Sequence, residues 1–282
     1  MPAGSAFLFG ASSMVGWSMY LGRGDTPVVP FVNSQSRIDQ VDRGIDLDDE
    51  LAVAQLFRDE PAPNLIVHCA GICDVETCET SPEFAYSVNV DGTAILVDHA
   101  PPHTRIVYLS SDHVFSGDTG PYREDSPTDP VSTYGRTRVA AEKLVLRRPN
   151  SLVVRAGLWI GPSANGKLGH LDWLRYRHRR NLPMTVVADE ARSAVWASDA
   201  SRRVWELARS SITGVRHVVA ERVVARPELA RYLDARFEIG ASIAVHTRRD
   251  RRVPHLGTME LQTIYDDDFA RPLPSVVDHA VA

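Results

Sequence analysis

Cysteine is scarce in this 282-residue chain. The three present, Cys69, Cys73 and Cys78, are too few for a disulfide framework. They lie close together, but without a CxxC pair or a second pair of ligands, so they do not read as a metal centre. Thiols in or near the core are expected instead. Long apolar runs are missing too: none approaches the roughly 18 residues that a membrane span needs. The N-terminus lacks a basic n-region and leads into Gly10 and Gly16, so no secretory leader is expected. An excess of positive charge is also absent. Against 31 Lys and Arg stand 36 Asp and Glu, a net charge of −5, which argues against nucleic acid as the main partner. No internal repeat or low-complexity segment interrupts the chain. These absences leave a soluble, cytoplasmic protein of one large domain, or one domain with a smaller lobe.

What is present is an alternation of short apolar runs and helical patterns. Ala6 to Phe9 reads as a buried strand, followed by Gly10-Ala11-Ser12-Ser13-Met14-Val15-Gly16 and a helix. A strand, a glycine turn and a helix N-terminus form a cradle for a phosphate, because backbone N–H groups face the anion at close range. A dinucleotide signature would place a third glycine where Ser13 stands. Serine is small and can donate a hydrogen bond. Gly10, Ser12, Ser13, Met14, Val15 and Gly16 are the candidate contacts.

Val28 to Val32 reads as a second strand. A carboxylate at its end would grip the ribose hydroxyls of NAD. Here Asn33, Ser34, Gln35, Ser36 and Arg37 follow, with no acid until Asp39. That leans toward a ribose 2′-phosphate and so NADP, with NAD left open, and Asn33, Ser34 and Arg37 as candidate contacts. Ile45-Asp46-Leu47 reads as a short third strand. Its Asp46 is an acceptor for the adenine amino group, with Leu47 beside it, or else part of a helix N-cap cluster before Glu50. Leu65 to His68 is a fourth strand. It ends in Cys69-Ala70-Gly71, small residues that let a cofactor pass close to the backbone. His68, inside an apolar run, reads as a core histidine. Pro82 to Ala100 reads as one helix, in which Asn89 needs a partner if buried.

The stretch from Ile106 to Lys143 organises the rest. A strand, Ile106 to Leu109, breaks at Ser110-Ser111-Asp112, crosses a Gly/Pro/Asp-rich loop and enters a helix near Ser132. Tyr134 and Arg138 stand at i and i+4, on one helical face. Two hydroxyls at a strand end, facing a tyrosine with a cationic neighbour, suit the movement of a proton to or from an oxygen. Ser151 to Arg155 is a sixth strand. Such spacings suit parallel crossovers. The expected fold is α/β, a Rossmann-type doubly wound parallel sheet over residues 1–160, with 195–220 crossing back to it. Residues 161–194 and 221–282 read as a smaller C-terminal substrate lobe. It holds a glycine-rich loop at 161–169, a basic helix from Leu171 to Arg180, and a strand from Met184 to Val187. Further elements are a helix from Ser198 to Ala208, a strand from Val215 to Val219 and a helix from Pro227 to Leu233. The tail is basic at Arg248, Arg249, Arg251 and Arg252. These arginines are either solvated or placed to grip a diphosphate.

The run Ser110-Ser111-Asp112-His113-Val114-Phe115, then Gly120-Pro121-Tyr122-Arg123-Glu124, then Tyr134-Gly135-Arg136-Thr137-Arg138 carries a family resemblance. It resembles the extended short-chain dehydrogenase/reductases, and most closely the dTDP-4-dehydrorhamnose reductase family. That family has Ser-Thr-Asp-Tyr-Val-Phe, Gly-Pro-Tyr-x-Glu and Tyr-Gly-x-x-Lys in the same order. The glycine turn, the HCAG at 68–71, the NVDGT at 89–93 and the region of Arg192 and Ser193 also fall in family order. The resemblance implies NAD(P)H and reduction of a keto group on a nucleotide-linked sugar. It gives Ser111 the hydroxyl that polarises the carbonyl and Tyr134 the proton. It puts Ser110 beside the cofactor, and Asp112, His113, Val114 and Arg192 beside the substrate. Arg138 stands where the family has lysine, and His113 where it has tyrosine. Arginine keeps the positive charge but not the compact ammonium. Two readings follow: a reductase, or a cofactor-binding regulatory or scaffold protein of the same fold with weakened chemistry. A sister epimerase or dehydratase is a third. The expected partner is a small nucleoside-diphosphate sugar, with a homodimer as an option.

Overall fold

The computed structural model describes residues 5–279. Residues 1–4 and 280–282, which the expected domain and lobe include, lie outside the described residues. In chain order the first half runs β1 (Ala6–Phe9), α1 (Met14–Leu21), β2 (Val28–Phe31), α2 (Glu50–Asp59), β3 (Leu65–His68), α3 (Val75–Thr80) and α4 (Pro82–Tyr86). It continues with α5 (Gly92–His99), β4 (Arg105–Ser111), α6 (Thr133–Val145) and β5 (Ser151–Ala156). The second half runs β6 (Leu158–Ile160), α7 (His170–Arg179), β7 (Met184–Val187), β8 (Ala191–Trp196) and α8 (Ala197–Arg209). After these come β9 (Gly214–Val218), β10 (Val223–Ala225), α9 (Arg226–Arg236) and β11 (Ile243–His246).

Six strands form one sheet in the order β2-β1-β3-β4-β5-β9, every neighbouring pair parallel. Alternate residues feed opposite faces. Ala6, Leu8, Val107 and Leu109 pack in a layer with Met19 of α1 and Val204 and Trp205 of α8. Phe7, Phe9, Ile106 and Tyr108 pack in another with Val53, Leu96 and Ala141 of α2, α5 and α6. Covered on both faces, β1, β3 and the Ile106–Leu109 part of β4 are near-continuous apolar runs, as buried parallel strands are. The expected doubly wound α/β sheet is therefore present.

The expected third strand is not. Ile45 to Leu47 forms no strand, and the segment meets β2 through a single bridge, Val32 to Gly44. Val32 supplies both bonds there, accepting from Ile45 N–H and donating to Arg43 O. The next N–H on that edge toward Leu47, that of Ser34, goes to the Asp46 side chain at 3.0 Å, so the ladder does not continue along Ile45 to Leu47. The single helix expected from Pro82 to Ala100 is also interrupted, by a π-helical turn over Ser87–Asp91.

Two smaller sheets, β10-β8-β6 and β11-β7, complete the structure. Their core gathers Ile160, Leu171, Leu174, Trp196, Leu229 and Leu233. β8 leads directly into α8, which packs back on the main sheet, and β9 then joins that sheet beside β5. This path brings residues 190–192 over the carboxyl end of β4. Among the described residues, no helix is long and apolar enough to cross a membrane.

Candidate active site

The turn after β1 is packed backbone against backbone. Gly10 has a φ of +88°, and a Cβ there would stand 2.5 Å from Ala70 N. A Cβ at Gly16 would stand 2.1 Å from Gly10 O. Neither position admits a side chain. Ser13 caps α1: its Oγ accepts from Gly16 N–H at 2.9 Å and donates to Gly10 O at 2.9 Å. Serine at the third-glycine position thus closes the turn instead of opening it. Ser12, Met14 and Val15 are half-buried at the start of the helix.

The loop after β2 is tied to itself. The Asp46 carboxylate accepts from Ser34 N–H at 3.0 Å and from the Ser34 hydroxyl. Asn33 accepts from Gln35 N–H and from the Ser36 hydroxyl. Arg37, exposed, donates to Ser34 O at 2.9 Å and Ser36 O at 3.0 Å. Leu47 turns into the core, against the position a Gly92 Cβ would take. The N-cap of α2 is Asp49, which accepts from Ala52 N–H at 3.1 Å, so Asp46 is free of that role.

β4 continues through Ser110 and Ser111, two residues past its expected end, and the two hydroxyls diverge. Ser110 donates to Glu142 Oε1 at 2.5 Å, and Arg155 grips the same carboxylate at 3.0 and 2.8 Å. Ser111 donates to Asp112 Oδ1 at 3.2 Å and accepts from His113 N–H at 3.2 Å. Asp112, with no exposure, is held by Arg192 from β8, with Nε 2.9 Å from Oδ2 and Nη2 on Oδ1. Burial opposes the Arg192 charge, but Asp112 outweighs it and raises its pKa above the ordinary arginine value. Behind Arg192 the network continues. Glu190 lies 4.0 Å from Arg192, 3.7 Å from Arg226 and 2.7 Å from His255. Val114 turns away, wholly buried with Phe115, Tyr122 and Leu256.

Helix α6 begins at Ser132, whose Oγ accepts from Gly135 N–H at 3.0 Å. A Cβ at Gly135 would stand 2.1 Å from His113 O, so the helix start presses on the turn after β4. This sets the Tyr134 ring edge-on to the His113 ring, 5.1 Å between centroids. Burial, with Arg192 adding to it, lowers the His113 pKa to about 3, so the ring is neutral.

The Arg138 guanidinium lies over the Tyr134 ring, 5.0 Å from its centroid, a cation–π arrangement. Its Nη1 donates to the Tyr108 hydroxyl at 2.8 Å. Its Nη2 would be 3.1 Å from a Cβ at Gly71, where φ is +137°. Burial works against the Arg138 charge, and Tyr108 and Tyr134 outweigh it, so its pKa is raised. Beside Gly71, Asn89 in the π-helical turn accepts from Ile72 N–H at 2.7 Å and donates to Ile72 O and Thr137 Oγ1, both at 3.0 Å. Such turns recur at functional sites. Cys69 is buried and Ala70 half-buried, and burial raises the Cys69 thiol to about 12. His68 is a core histidine, its Nε2 3.0 Å from Thr93 Oγ1.

Ser111, Asp112, His113, Tyr134, Arg138, Arg192 and Gly71 are thus gathered at the carboxyl ends of β3 and β4, with the glycine turn packed on Ala70. In an open α/β sheet that is where ligands bind. Residues 5–272 match the family described as RmlD substrate binding domain. The chain belongs to that family. Among its relatives, a probable dTDP-4,6-dihydroxy-2-methyloxan-3-one 4-ketoreductase of Streptomyces antibioticus is 32% identical over 163 residues, 56% of this chain and 54% of that protein. A dTDP-4-dehydrorhamnose reductase of Mycobacterium tuberculosis is 31% identical over 191 residues, 64% of this chain and 60% of that protein. The chain thus spans between half and two thirds of the length of these two relatives. A crystal structure of dTDP-4-dehydrorhamnose reductase from Bacillus anthracis, in complex with NADP, superposes with a TM-score of 0.81 at 19% identity. It covers 97% of this chain and 95% of that one. At that identity the likeness establishes the fold.

Sequence reasoning in this RmlD-family chain did not single out Tyr108, Glu142 or Glu190. Tyr108 sits in an apolar run and reads as core. Glu142 carried a usable signal, standing at i+4 from Arg138 as Arg138 stands from Tyr134.

Proposed function

We propose that the chain is an NADPH-dependent reductase of a keto group on a nucleotide-linked sugar. The observation that carries this reading is the Arg138 guanidinium over the Tyr134 ring, 5.0 Å from its centroid and against Gly71 at the end of β3. A phenol with a fixed cation beside it is equipped to pass a proton to a carbonyl oxygen. The residues fit a dinucleotide. The turn at Gly10 and Gly16 excludes every side chain; Ser12, Met14 and Val15 would meet its phosphates with backbone N–H groups at a helix N-terminus, while Ser13, whose N–H is held by Gly10 O, shapes the turn. Asn33, Ser34 and Arg37 would face the adenosine ribose, with Asp46 and Leu47 behind them. Cys69 to Gly71 and Ser110 would border the nicotinamide side. When bound, the nicotinamide supplies the hydride.

In this reading Tyr134 gives its hydroxyl proton to the oxygen that becomes the carbinol. Ser111 holds that oxygen, its hydroxyl turning from Asp112 to the substrate. Arg138 keeps positive charge beside the phenol and the nicotinamide ribose. Asp112 and Arg192 brace Ser111, and neutral His113 offers the sugar an uncharged edge. Residues 161–194 and 221–282 serve as the substrate lobe. There a cavity of about 630 Å³ is lined by Arg249, Arg251, Arg252 and His255, and it suits the diphosphate of the substrate. A cytoplasmic setting accords with three free cysteines, Cys73 exposed among them.

The test follows NADPH absorbance with a panel of nucleoside-diphosphate 4-keto sugars. Substrate-dependent NADPH oxidation supports the reading. Tight NADPH binding without reduction of any of them would replace it with the regulatory alternative.

A further inference from the structure

The site holds an arginine where a family lysine is expected, and something must adapt the fold to the larger head group. Tyr108 is the candidate. Its side chain is wholly buried in the layer between the sheet and α5 and α6, with Ile106 and Val153. Its ring stands 5.1 Å from the His68 ring. A phenylalanine would fill that space as well and would carry no polar atom into it. A buried hydroxyl without a partner is costly, and this one has Nη1 of Arg138, 2.8 Å away. The same guanidinium sits 5.7 Å from the Tyr108 ring centroid and 5.0 Å from that of Tyr134. Its Nε has no partner, so the Tyr108 bond fixes the rotation of the fork. Gly71 leaves the room: a Cβ there would crowd Nη2 at 3.1 Å.

We infer that Tyr108 is a positioning residue, which orients the Arg138 guanidinium so that arginine can serve where the family has lysine. This rests on the reductase reading given above. The Tyr108 hydroxyl is an acceptor suited to the work because it stays protonated: burial raises its pKa to about 12 despite Arg138. A neutral oxygen aligns the guanidinium without neutralising it. A carboxylate in the same place would draw the charge away from Tyr134.

The test is a double-substitution cycle with Tyr108→Phe and Arg138→Lys, read as kcat, KM and NADPH affinity, with thermal melting as the check on folding. Tyr108→Phe removes a hydrogen bond to a charged group and is expected to lower kcat roughly tenfold or more, with KM for the keto sugar within about twofold. Arg138→Lys is expected to lower kcat as well, although it restores the family residue, because the pocket is shaped for a planar fork. In the Arg138→Lys background, adding Tyr108→Phe is expected to change kcat by less than about threefold, the non-additivity of coupled residues. Equal effects of Tyr108→Phe in both backgrounds would overturn the inference, and so would an Arg138→Lys variant as fast as the parent chain. That second arm does not depend on the Tyr108 variant folding. An active parent with an unaffected Tyr108→Phe removes this inference and leaves the reductase reading standing. A parent that neither binds NADPH nor reduces a keto sugar removes both.

Discussion

Arg192 reaches from β8 to hold Asp112 at the end of β4 through two hydrogen bonds, Nε to Oδ2 at 2.9 Å and Nη2 to Oδ1. The two residues are 80 positions apart, one in β8 and the other in the turn after β4. Asp112 is wholly buried and Arg192 nearly so. Truncating one partner of such a pair leaves the other charge unsolvated. Arg192→Ala is expected to destabilise the protein by about 3–5 kcal/mol, measured by urea unfolding. A loss under about 1 kcal/mol, the scale of a surface pair, would contradict the assignment. Because Asp112 also accepts from Ser111, the same variant is expected to lose turnover before it loses its fold.

The two serines at the end of β4 have different work and separate experimentally. Ser110 is tied to Glu142 and Arg155. Ser110→Ala is expected to cost about 1.5–3 kcal/mol of stability, as for a hydrogen bond to a charged group, with a small effect on kcat. Ser111 donates one long bond, 3.2 Å, to Asp112 while accepting from His113 N–H, and its hydroxyl proton can turn to a substrate. Ser111→Ala is expected to lower kcat by about 10²–10³, the cost of removing one donor to a developing oxyanion. Steady-state kinetics and denaturation on both variants check the pair. Matching kinetic losses would mean that the division of labour is wrong.

Acid is expected to destabilise this protein early. His68 and His113 are both buried, and burial lowers each from about 6.5 to about 3. Between those values the unfolded chain binds protons that the folded protein does not. Stability from these two groups is therefore full above pH 6.5 and falls as pH drops toward 3. Each contributes a slope of about 1.4 kcal/mol per pH unit when fully engaged. Glu190 acts in a lower window. Burial opposes its charge, but His255, Arg226 and Arg192 outweigh it and lower its pKa to about 2. Its contribution is present above about 4.5 and is lost as pH falls toward 2. Urea unfolding at pH 7.5, 6.0 and 5.0 should show a clear decline before the carboxylates titrate. A flat profile over that range would contradict the neutral burial of the two histidines.

The main sheet was legible because a parallel strand buried on both faces is a plain apolar run, as in Ala6–Phe9 and Ile106–Leu109. The start of α6 was legible because Ser132 announces an N-cap. The expected third strand at Ile45–Leu47 failed because the Asp46 side chain takes the Ser34 N–H that a further ladder bond would need. The short strands β6, β8 and β10 have three to six residues, and their partners lie far along the chain. In the site, Tyr134 and Arg138 were visible from helical spacing. Tyr108 and Glu190 were not, since each acquires its meaning from a partner on another element. Position 138 could be noted as a departure from family pattern, but how the fold accommodates it is a matter of three-dimensional packing.

The most direct measurement is the rate of NADPH oxidation by Tyr134→Phe, compared with the parent chain on a nucleotide-linked keto sugar. The account predicts a fall of about 10²–10⁴, the range for removing a general acid, with NADPH affinity unchanged because the ring that Arg138 packs on is retained. A phenylalanine variant that turns over as fast as its parent would contradict it.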